Sequence, residues 1–310
     1  MSAARDQVLA FRRVAARHEA AVKRIVARAV SKGRRAMSRT AVRRAANNPG
    51  RLLLALAPFA DGYAAGLLPL EDPIILAFMA GWRHAERWFP GGSVNILALP
   101  QRGQPDPVVE EAIAWGEQFT AEQIVDLTGE TRQGVRELTA RVMTDQIPAA
   151  QATRLILDQS TLGLDRRRMA GLLSFRARAA RAAPGAVLQA GGRRYLVPET
   201  GMRVERLDEW TGDYASTLLL GRSDTIARTV SVAGASAGQL AAWLAAQADG
   251  LLGGGQRKRW ESLLLPCVIC RDLNGQTVPL HEPFTSKYVG VVTYPPVHPN
   301  CRCSVVLVDG

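Results

Sequence analysis

The sequence predicts a mainly α protein: a multi-helix body followed by a small, cysteine-rich C-terminal module that contains β-strands, α+β overall. Three observations predict this class. Apolar residues recur at three- and four-residue spacing over most of the first 250 positions, which is the helical period. All four cysteines lie in the last 44 residues, among short strand-like segments. The composition of the 310 residues, 47% hydrophobic and 22% charged, excludes disordered, collagen-like and disulfide-scaffold classes.

The first predicted segment, residues 1–50, is a basic helical arm. It holds 13 Lys and Arg against two acidic residues, which equals the net charge of +11 for the whole chain. Val8, Phe11, Val22 and Ile25 belong to an apolar stripe at helical spacing. Most of the cations of this helix are predicted to take the opposite face. The candidates for binding nucleic acid or a partner are Arg12, Arg13, Arg17, Lys23, Arg24 and Arg28.

This charged face is compatible with several roles. Double-stranded DNA is one candidate ligand, because arginine suits phosphate contacts, and an acidic protein surface is another. A solvated face without a ligand is about equally compatible with the pattern. A membrane-surface helix fits less well, since Phe11 is the only aromatic residue of the stripe.

Two further segments precede the cysteine module. Residues 51–105 form an apolar region in which Pro58, Gly62, Gly66 and other breakers predict short helices, with a strand at 93–99 and then a linker. Residues 106–255 form a helical body with a hairpin near 186–197. Its predicted helices begin at Asp106, restart at a Thr120–Gln123 capping box, and then cover 129–145, 148–158, 165–182, 203–222 and 223–249.

The last segment, residues 256–310, carries a metal-ligand pattern. Cys267 and Cys270 are spaced as the first half of a zinc knuckle. On an extended segment Cys301 and Cys303 point the same way, while Arg302 points oppositely. The first expectation is a structural zinc ion held by the four cysteines, with His298 replacing Cys303 as a close alternative.

Three alternatives to zinc remain open for these thiols. They could form two disulfides in oxidising surroundings, or be small buried residues, or belong to a module that has lost its metal. Zinc is favoured because so small a module has little core of its own. The chain is expected to be made in a reducing cytoplasm, since Arg12, Arg13 and Arg17 interrupt any signal peptide.

The sequence supports neither an enzyme nor a membrane protein. It has no HExxH, GxSxG or Walker motif, and four cysteine ligands would leave a zinc ion no open position for catalysis. No catalytic residue is therefore predicted. The longest uncharged stretch, residues 229–248, carries its large apolar residues on one stripe, which is typical of a helix in a folded domain.

Two strings resemble the Mu F-like phage head morphogenesis proteins, also called minor head or minor capsid proteins. The first is Tyr294-Pro-Pro-Val-His-Pro-Asn-Cys-Arg-Cys303. The second is Ser223-Asp-Thr-Ile-Ala-Arg-Thr229, followed by the Gly238–Trp243 stretch. Cys267-x-x-Cys270 and Leu273-Asn-Gly275 stand in the family's order, and the likeness covers about residues 110–310. Val230 departs from it, since relatives often carry an acid there.

The resemblance implies a non-enzymatic protein of the tailed-phage virion. Such a protein is assembled in the bacterial host cytoplasm and resides in the head at the portal vertex. Its implied partners are the portal protein and the major capsid or scaffold protein, with packaged DNA a candidate for residues 1–50. The alternatives are a cytoplasmic zinc-containing nucleic-acid-binding protein, for which Arg271 and Arg302 are few basic residues, and a metal-dependent hydrolase.

Overall fold

The structure, a computed structural model, describes residues 3–89, 107–144, 147–157, 161–262 and 266–310. It confirms the predicted class: long helices dominate, and the strands are short and mostly C-terminal. The chain forms two compact units, each assembled from separated segments. Unit 1 comprises Met1–Arg24, Pro69–Thr120 and Asp224–Gly310, and unit 2 comprises Ile25–Leu68 and Ala121–Ser223. The four sequence segments 1–50, 51–105, 106–255 and 256–310 stay a prediction. The two units are defined by contacts in space, so they do not test where one sequence segment ends and the next begins.

The basic N-terminal region is helical, as predicted. Helix α1 (Ala3–Ala36) is followed by α2 (Arg39–Ala45), whose first turn is capped by the Ser38 side chain. Val8, Phe11 and Val22 of the apolar stripe are buried. Phe11 packs with Ala15, Val232 and Ala235 in unit 1, so α1 is part of the folded core and not a free arm over this length.

The apolar region that follows forms longer helices than predicted. Helix α3 (Pro49–Leu67) starts at an Asn48 cap and continues through Pro58. A short 3-10 turn at Leu68–Leu70 leads into α4 (Glu71–Glu86). The glycines that predicted breaks serve packing: a Cβ on Gly66 would lie 2.5 Å from the Ala29 Cα of α1. Glycine therefore lets the two helix backbones approach closely.

The helical body has fewer helix breaks than predicted. Helix α5 (Pro107–Thr144) is continuous, so the predicted capping-box restart at Thr120 and the separate helix predicted at 129–145 are both wrong. Thr120 is buried inside the helix, where its hydroxyl cannot cap a new one. Helices α6 (Ala149–Leu157) and α7 (Arg166–Ala180) lie where they were predicted, and Asp165 caps α7.

The predicted hairpin is confirmed. Strands β1 (Val187–Ala190) and β2 (Arg193–Leu196) pair antiparallel across Gly191 and Gly192, which both have positive φ. The hairpin buries Tyr195 in an aromatic cluster with Phe175 and Trp210.

Helix α8 (Val204–Ala248) replaces the two helices predicted at 203–222 and 223–249. The predicted break at Ser223 is wrong because the Ser223 hydroxyl donates to the Leu219 carbonyl, 3.0 Å away in the preceding turn. It thus bonds within the helix and caps no new start. The unit 1 part of α8 packs tightly on α4, where a Cβ on Gly81 would lie 2.0 Å from the Ala235 carbonyl oxygen.

The cysteine module is a set of short antiparallel sheets around one small helix. Strand β3 (Gln256–Glu261) is central in the order β4-β3-β7, with β4 (Thr277–Pro279) and β7 (Ser304–Asp309) at its sides. Helix α9 (Val268–Leu273) and the pair β5 (Phe284–Ser286) and β6 (Gly290–Val292) complete it. Trp260, fully buried, packs edge-on against Phe284.

Unit 2 contains a buried, internally paired arginine. Arg222 of α8 is 2% exposed and donates to the Thr131 hydroxyl at 2.9 Å, to the Gly163 carbonyl and to the Leu127 carbonyl at 3.2 Å. Its ion pair with Glu130 measures 3.1 Å. The guanidinium therefore ties α8 to α5 and to the turn before α7 within this unit.

The structure does not test the predicted strand at 93–99 or the expectation of no membrane contact. The predicted strand at 93–99 lies outside the described residues. Within them, the stretch Pro49–Glu86 is long and apolar enough to cross a membrane by length and composition, and a third of its most apolar window is buried. The expectation that the protein contacts no membrane stays a prediction.

Candidate metal centre

The first two thiols are held at the start of α9. Cys267 is the N-cap residue, and its Sγ accepts the backbone N–H of Cys270 at 3.5 Å. Cys270 lies one helical turn later and is buried, whereas Cys267 is exposed. The C-x-x-C spacing therefore places both sulfurs at one end of a short helix, which the sequence did not predict, and keeps the two thiols close together, which it did.

The other donors come from the loop before β7. Cys301 and Cys303 are buried and Arg302 is exposed, so the alternation expected of an extended segment is confirmed. The Nδ1–H of His298 donates to the Pro299 carbonyl at 2.9 Å in the tautomer that this contact implies. That bond leaves Nε2 with its lone pair facing the thiols, which is the usual arrangement of a metal-bound histidine.

The five donors form two overlapping clusters. His298 Nε2 lies 3.3 Å from the Sγ of Cys267 and 3.0 Å from that of Cys270. The Cys270 Sγ is in turn 3.9 Å from the Cys301 Sγ. Within each cluster, Cys267–Cys270–His298 and Cys270–Cys301–Cys303, the donor atoms lie within 4.8 Å of one another. Cys270 is common to both clusters.

These separations fit a tetrahedral metal ion. Ligands at about 2.3 Å from zinc lie roughly 3.8 Å apart around a tetrahedron. The Cys270–Cys301 separation of 3.9 Å matches that value, and the sulfur–nitrogen distances are slightly shorter, as the shorter zinc–nitrogen bond requires. The donor set of thiols and imidazole is the one that zinc prefers. The structure thus gives a metal-compatible cluster, and both predicted ligand sets lie within it.

All four cysteines are free thiols in the structure. The 3.9 Å between the Cys270 and Cys301 sulfurs is far longer than the roughly 2.05 Å of a disulfide. Among the described residues the cysteines therefore converge without forming the predicted alternative, a pair of disulfides.

The thiols of the cluster differ in the direction in which their pKa values are shifted. Hydrogen bonding to Cys303 lowers the pKa of Cys301 to about 5, despite burial. Burial raises the pKa of Cys270 to about 12. The hydrogen bond to Cys301, followed by burial, raises the pKa of Cys303. Without an ion the cluster thus favours the thiolate at Cys301, whereas Cys270 and Cys303 favour the protonated thiol until a cation binds.

The two strings that carry the family resemblance contact each other in unit 1. Asn300 has a left-handed backbone, with φ of 66°, between His298 and Cys301. Its N–H donates to the Thr229 hydroxyl at 2.9 Å, and its side-chain oxygen accepts from Arg228. The Ala-Arg-Thr residues of α8 therefore position the loop that carries three metal-donor candidates. Sequence analysis noted both strings but missed this contact, because no spacing rule connects residues 71 positions apart.

The six predicted cations of α1 divide into two groups. Arg12 is half-buried and donates to the Arg302 carbonyl between Cys301 and Cys303, and Lys23 pairs with Asp224 at 2.7 Å. Arg13, Arg17, Arg24 and Arg28 are exposed and share one face of the helix. Most of the six thus face outward, as predicted, but Arg12 lies against the cysteine loop instead.

No family model, curated protein or solved structure matches this chain.

Proposed function

We propose that this protein is a minor capsid protein of a tailed phage, whose cysteine module is stabilised by a structural zinc ion. The observation that carries the proposal is the His298–Cys303 string, which resembles the family's hallmark and brings its donors to Cys267 and Cys270. The contact of Asn300 with Arg228 and Thr229 supports it further. Both family-like strings then serve one structural purpose.

The zinc ion would be held by Cys267, Cys270 and His298, with Cys301 or Cys303 as the fourth ligand. Four protein ligands close the coordination sphere, which suits stability and leaves no position for a substrate. The ion would link α9 to the segment before β7, two parts of a module with little core of its own. The proposed role is therefore architectural and non-enzymatic.

The proposed setting is the virion head at the portal vertex, with assembly in the host cytoplasm. The portal protein is the main proposed partner, beside the major capsid or scaffold protein. These assignments follow from the family resemblance, so their test must be independent of it. Purified virions of the source phage should yield peptides from this chain, and the chain should co-purify with the co-expressed portal protein. Absence from virions together with no portal complex would overturn the proposal and favour the cytoplasmic nucleic-acid-binding alternative.

Double-stranded DNA is proposed as a further ligand of α1. Arg13, Arg17, Arg24 and Arg28 form an exposed cationic face, which suits phosphate contacts without base recognition. Changing all four to Gln should flatten the slope of log affinity against log salt by about 3 to 4. A charge-matched control changes four exposed arginines elsewhere: Arg136, Arg167, Arg194 and Arg203. Equal slopes for the two variants would show that α1 is not the DNA-binding face.

A further inference from the structure

A cleft of about 330 Å³ lies in unit 1 beside the segment that carries the last two cysteines. Helix α1, helix α8 and the Cys301–Cys303 segment form its walls. Its apolar floor consists of Phe11, Ala15 and Val232. The cleft is therefore bounded on three sides and has space for a small molecule or group.

The charged groups around this cleft are mostly cations. Arg12 of α1, Arg228 of α8 and Arg302 of the loop all line it, and Glu19 is the only acid among the lining residues. Glu19 pairs with Arg228 at 3.7 Å. Three guanidinium groups against one carboxylate leave an excess of two positive charges, which no partly buried site holds without cost.

At least one of these guanidinium donors has no protein partner within the part of the chain that the structure describes. Arg12 donates one terminal N–H to the Arg302 carbonyl, but its buried Nε has no hydrogen-bond partner among the described residues. Burial, followed by the nearby charges of Arg302 and Arg228, lowers the pKa of Arg12. Arg302 is exposed at the rim, so its guanidinium can turn toward the cleft. Arg228 is engaged by Glu19 and Asn300.

We propose that this cleft binds a phosphate group, with Arg12 and Arg302 as its main ligands. A tetrahedral oxyanion offers acceptors to the unpartnered Arg12 Nε and to the planar donors of Arg302, and it offsets the positive excess. The apolar floor limits the ligand to a compact group. The phosphate could be free or part of a nucleic-acid backbone, which the experiment separates. The inference goes beyond the capsid role and does not depend on it.

The neighbouring metal centre sets how strongly an anion binds. Cys301 and Cys303 also line the cleft. A zinc ion with three thiolates and one imidazole carries one negative charge, so one positive charge of the cleft remains unbalanced. We therefore expect the zinc-loaded protein to bind phosphate.

Titration calorimetry of the full, zinc-loaded chain with inorganic phosphate tests the proposal. R12Q and R302Q should each weaken phosphate binding at least about tenfold, the loss of one charge-assisted hydrogen bond. R13Q is the matched control, since Arg13 is exposed and does not line the cleft. Its affinity should equal that of the unmodified protein. Zinc content and circular dichroism establish whether the variants fold. If R12Q does not fold, R302Q still tests the proposal, because Arg302 is exposed.

Absence of saturable phosphate binding, or equal weakening by R13Q and R302Q, would overturn the inference. Competition then identifies the source of the phosphate. Displacement of bound phosphate by a short DNA duplex, lost in R302Q, would assign a backbone phosphodiester. Binding of phosphate that the duplex does not displace would assign a free phosphate or a monoester.

Discussion

The two units bury polar groups in opposite ways. In unit 2, Arg222 is almost fully buried, and its donors reach the Thr131 hydroxyl, Glu130 and backbone carbonyls. In the cysteine module of unit 1, three buried thiols and one imidazole converge, and among the described residues no carboxylate joins either donor cluster. In unit 2, protein groups of the same unit thus pair the buried charge of Arg222. The module instead presents metal donors, which need a cation from solution.

The difference indicates where each region gets its stability. A buried guanidinium with its acceptors in place is costly to disrupt but needs nothing from solution. A cluster of thiols gains its stability only when a metal ion replaces the protons. Stability should therefore depend on metal in the module and be independent of metal in unit 2.

The largest expected effect separates the regions directly. Chelation, or the change Cys270→Ser at the donor shared by both clusters, should remove about one zinc per chain and unfold residues 256–310. Hydrogen exchange should then show lost protection there, while unit 2 keeps its protection. Chelator added to the Cys270→Ser protein should cause no further change.

The fourth ligand can be assigned by single changes of Cys303, Cys301 and His298 to Ala. Loss of a true ligand should abolish zinc retention, and loss of a non-ligand should leave it intact. If all cysteine variants keep full metal content and fold, the structural-zinc proposal fails.

The second effect concerns the paired charge of unit 2. Arg222→Ala should lower the free energy of unfolding by about 3–5 kcal/mol, because buried carbonyls and the Thr131 hydroxyl lose their donor. Zinc content should not change. Arg193→Gln, which removes an exposed pair with Asp213, is the control and should cost at most about 1 kcal/mol. Urea titration measures the free energy of unfolding of both variants. Loss of zinc from the Arg222→Ala protein would contradict the claim that the stability of unit 2 and the metal content of the module are independent.

The third effect is a pH dependence in unit 1 that does not involve the metal donors. His84 is 1% exposed beside Phe11 and Trp88, and burial lowers its pKa to about 4. The folded state keeps His84 neutral, whereas the unfolded chain takes up a proton near pH 6.5. Stability is therefore complete above about pH 6.5 and should fall by up to about 3 kcal/mol as the pH drops to 4.

His84→Phe should remove this part of the pH dependence, and His281→Gln, at an exposed histidine, should not. Thermal unfolding between pH 7 and 4 measures the difference. Identical pH profiles for the unmodified protein and His84→Phe would show that His84 is not the group responsible.

The smallest effect concerns the loop that carries the donors. Asn300→Ala should lower zinc affinity about tenfold, the usual scale for a group that orients metal ligands. Part of that loss comes from the positive φ at Asn300, which alanine adopts poorly. Asn300→Gly relieves the backbone strain but not the lost contact with Arg228, so comparing the two separates these causes. Competition with a chromogenic chelator provides the measurement, and unchanged affinity in both variants would contradict a positioning role.

Local patterns in the sequence predicted the elements that local chemistry determines. Asp165 as a cap and the glycine pair of the hairpin gave correct elements, and the Cys267–Cys270 spacing gave two thiols that lie in one donor cluster. The failures came from tertiary packing. Thr120 and Ser223 have the chemistry of helix starts, but both lie inside long helices whose apolar faces remain buried. The burial of Arg12 and the contact of Asn300 with α8 depend on residues far apart in sequence, which periodicity does not report.

Unit 1 contains both the first 24 residues and residues 224–310 of the chain. During translation, Phe11 and Ala15 leave the ribosome long before Val232 and Ala235, the residues that cover them. The N-terminal apolar stripe therefore stays exposed while about two hundred further residues are made, a period of roughly 10 to 40 s at bacterial elongation rates. We expect nascent chains arrested before residue 224 to recruit chaperones or aggregate, because unit 1 needs residues 224–310 to cover this stripe.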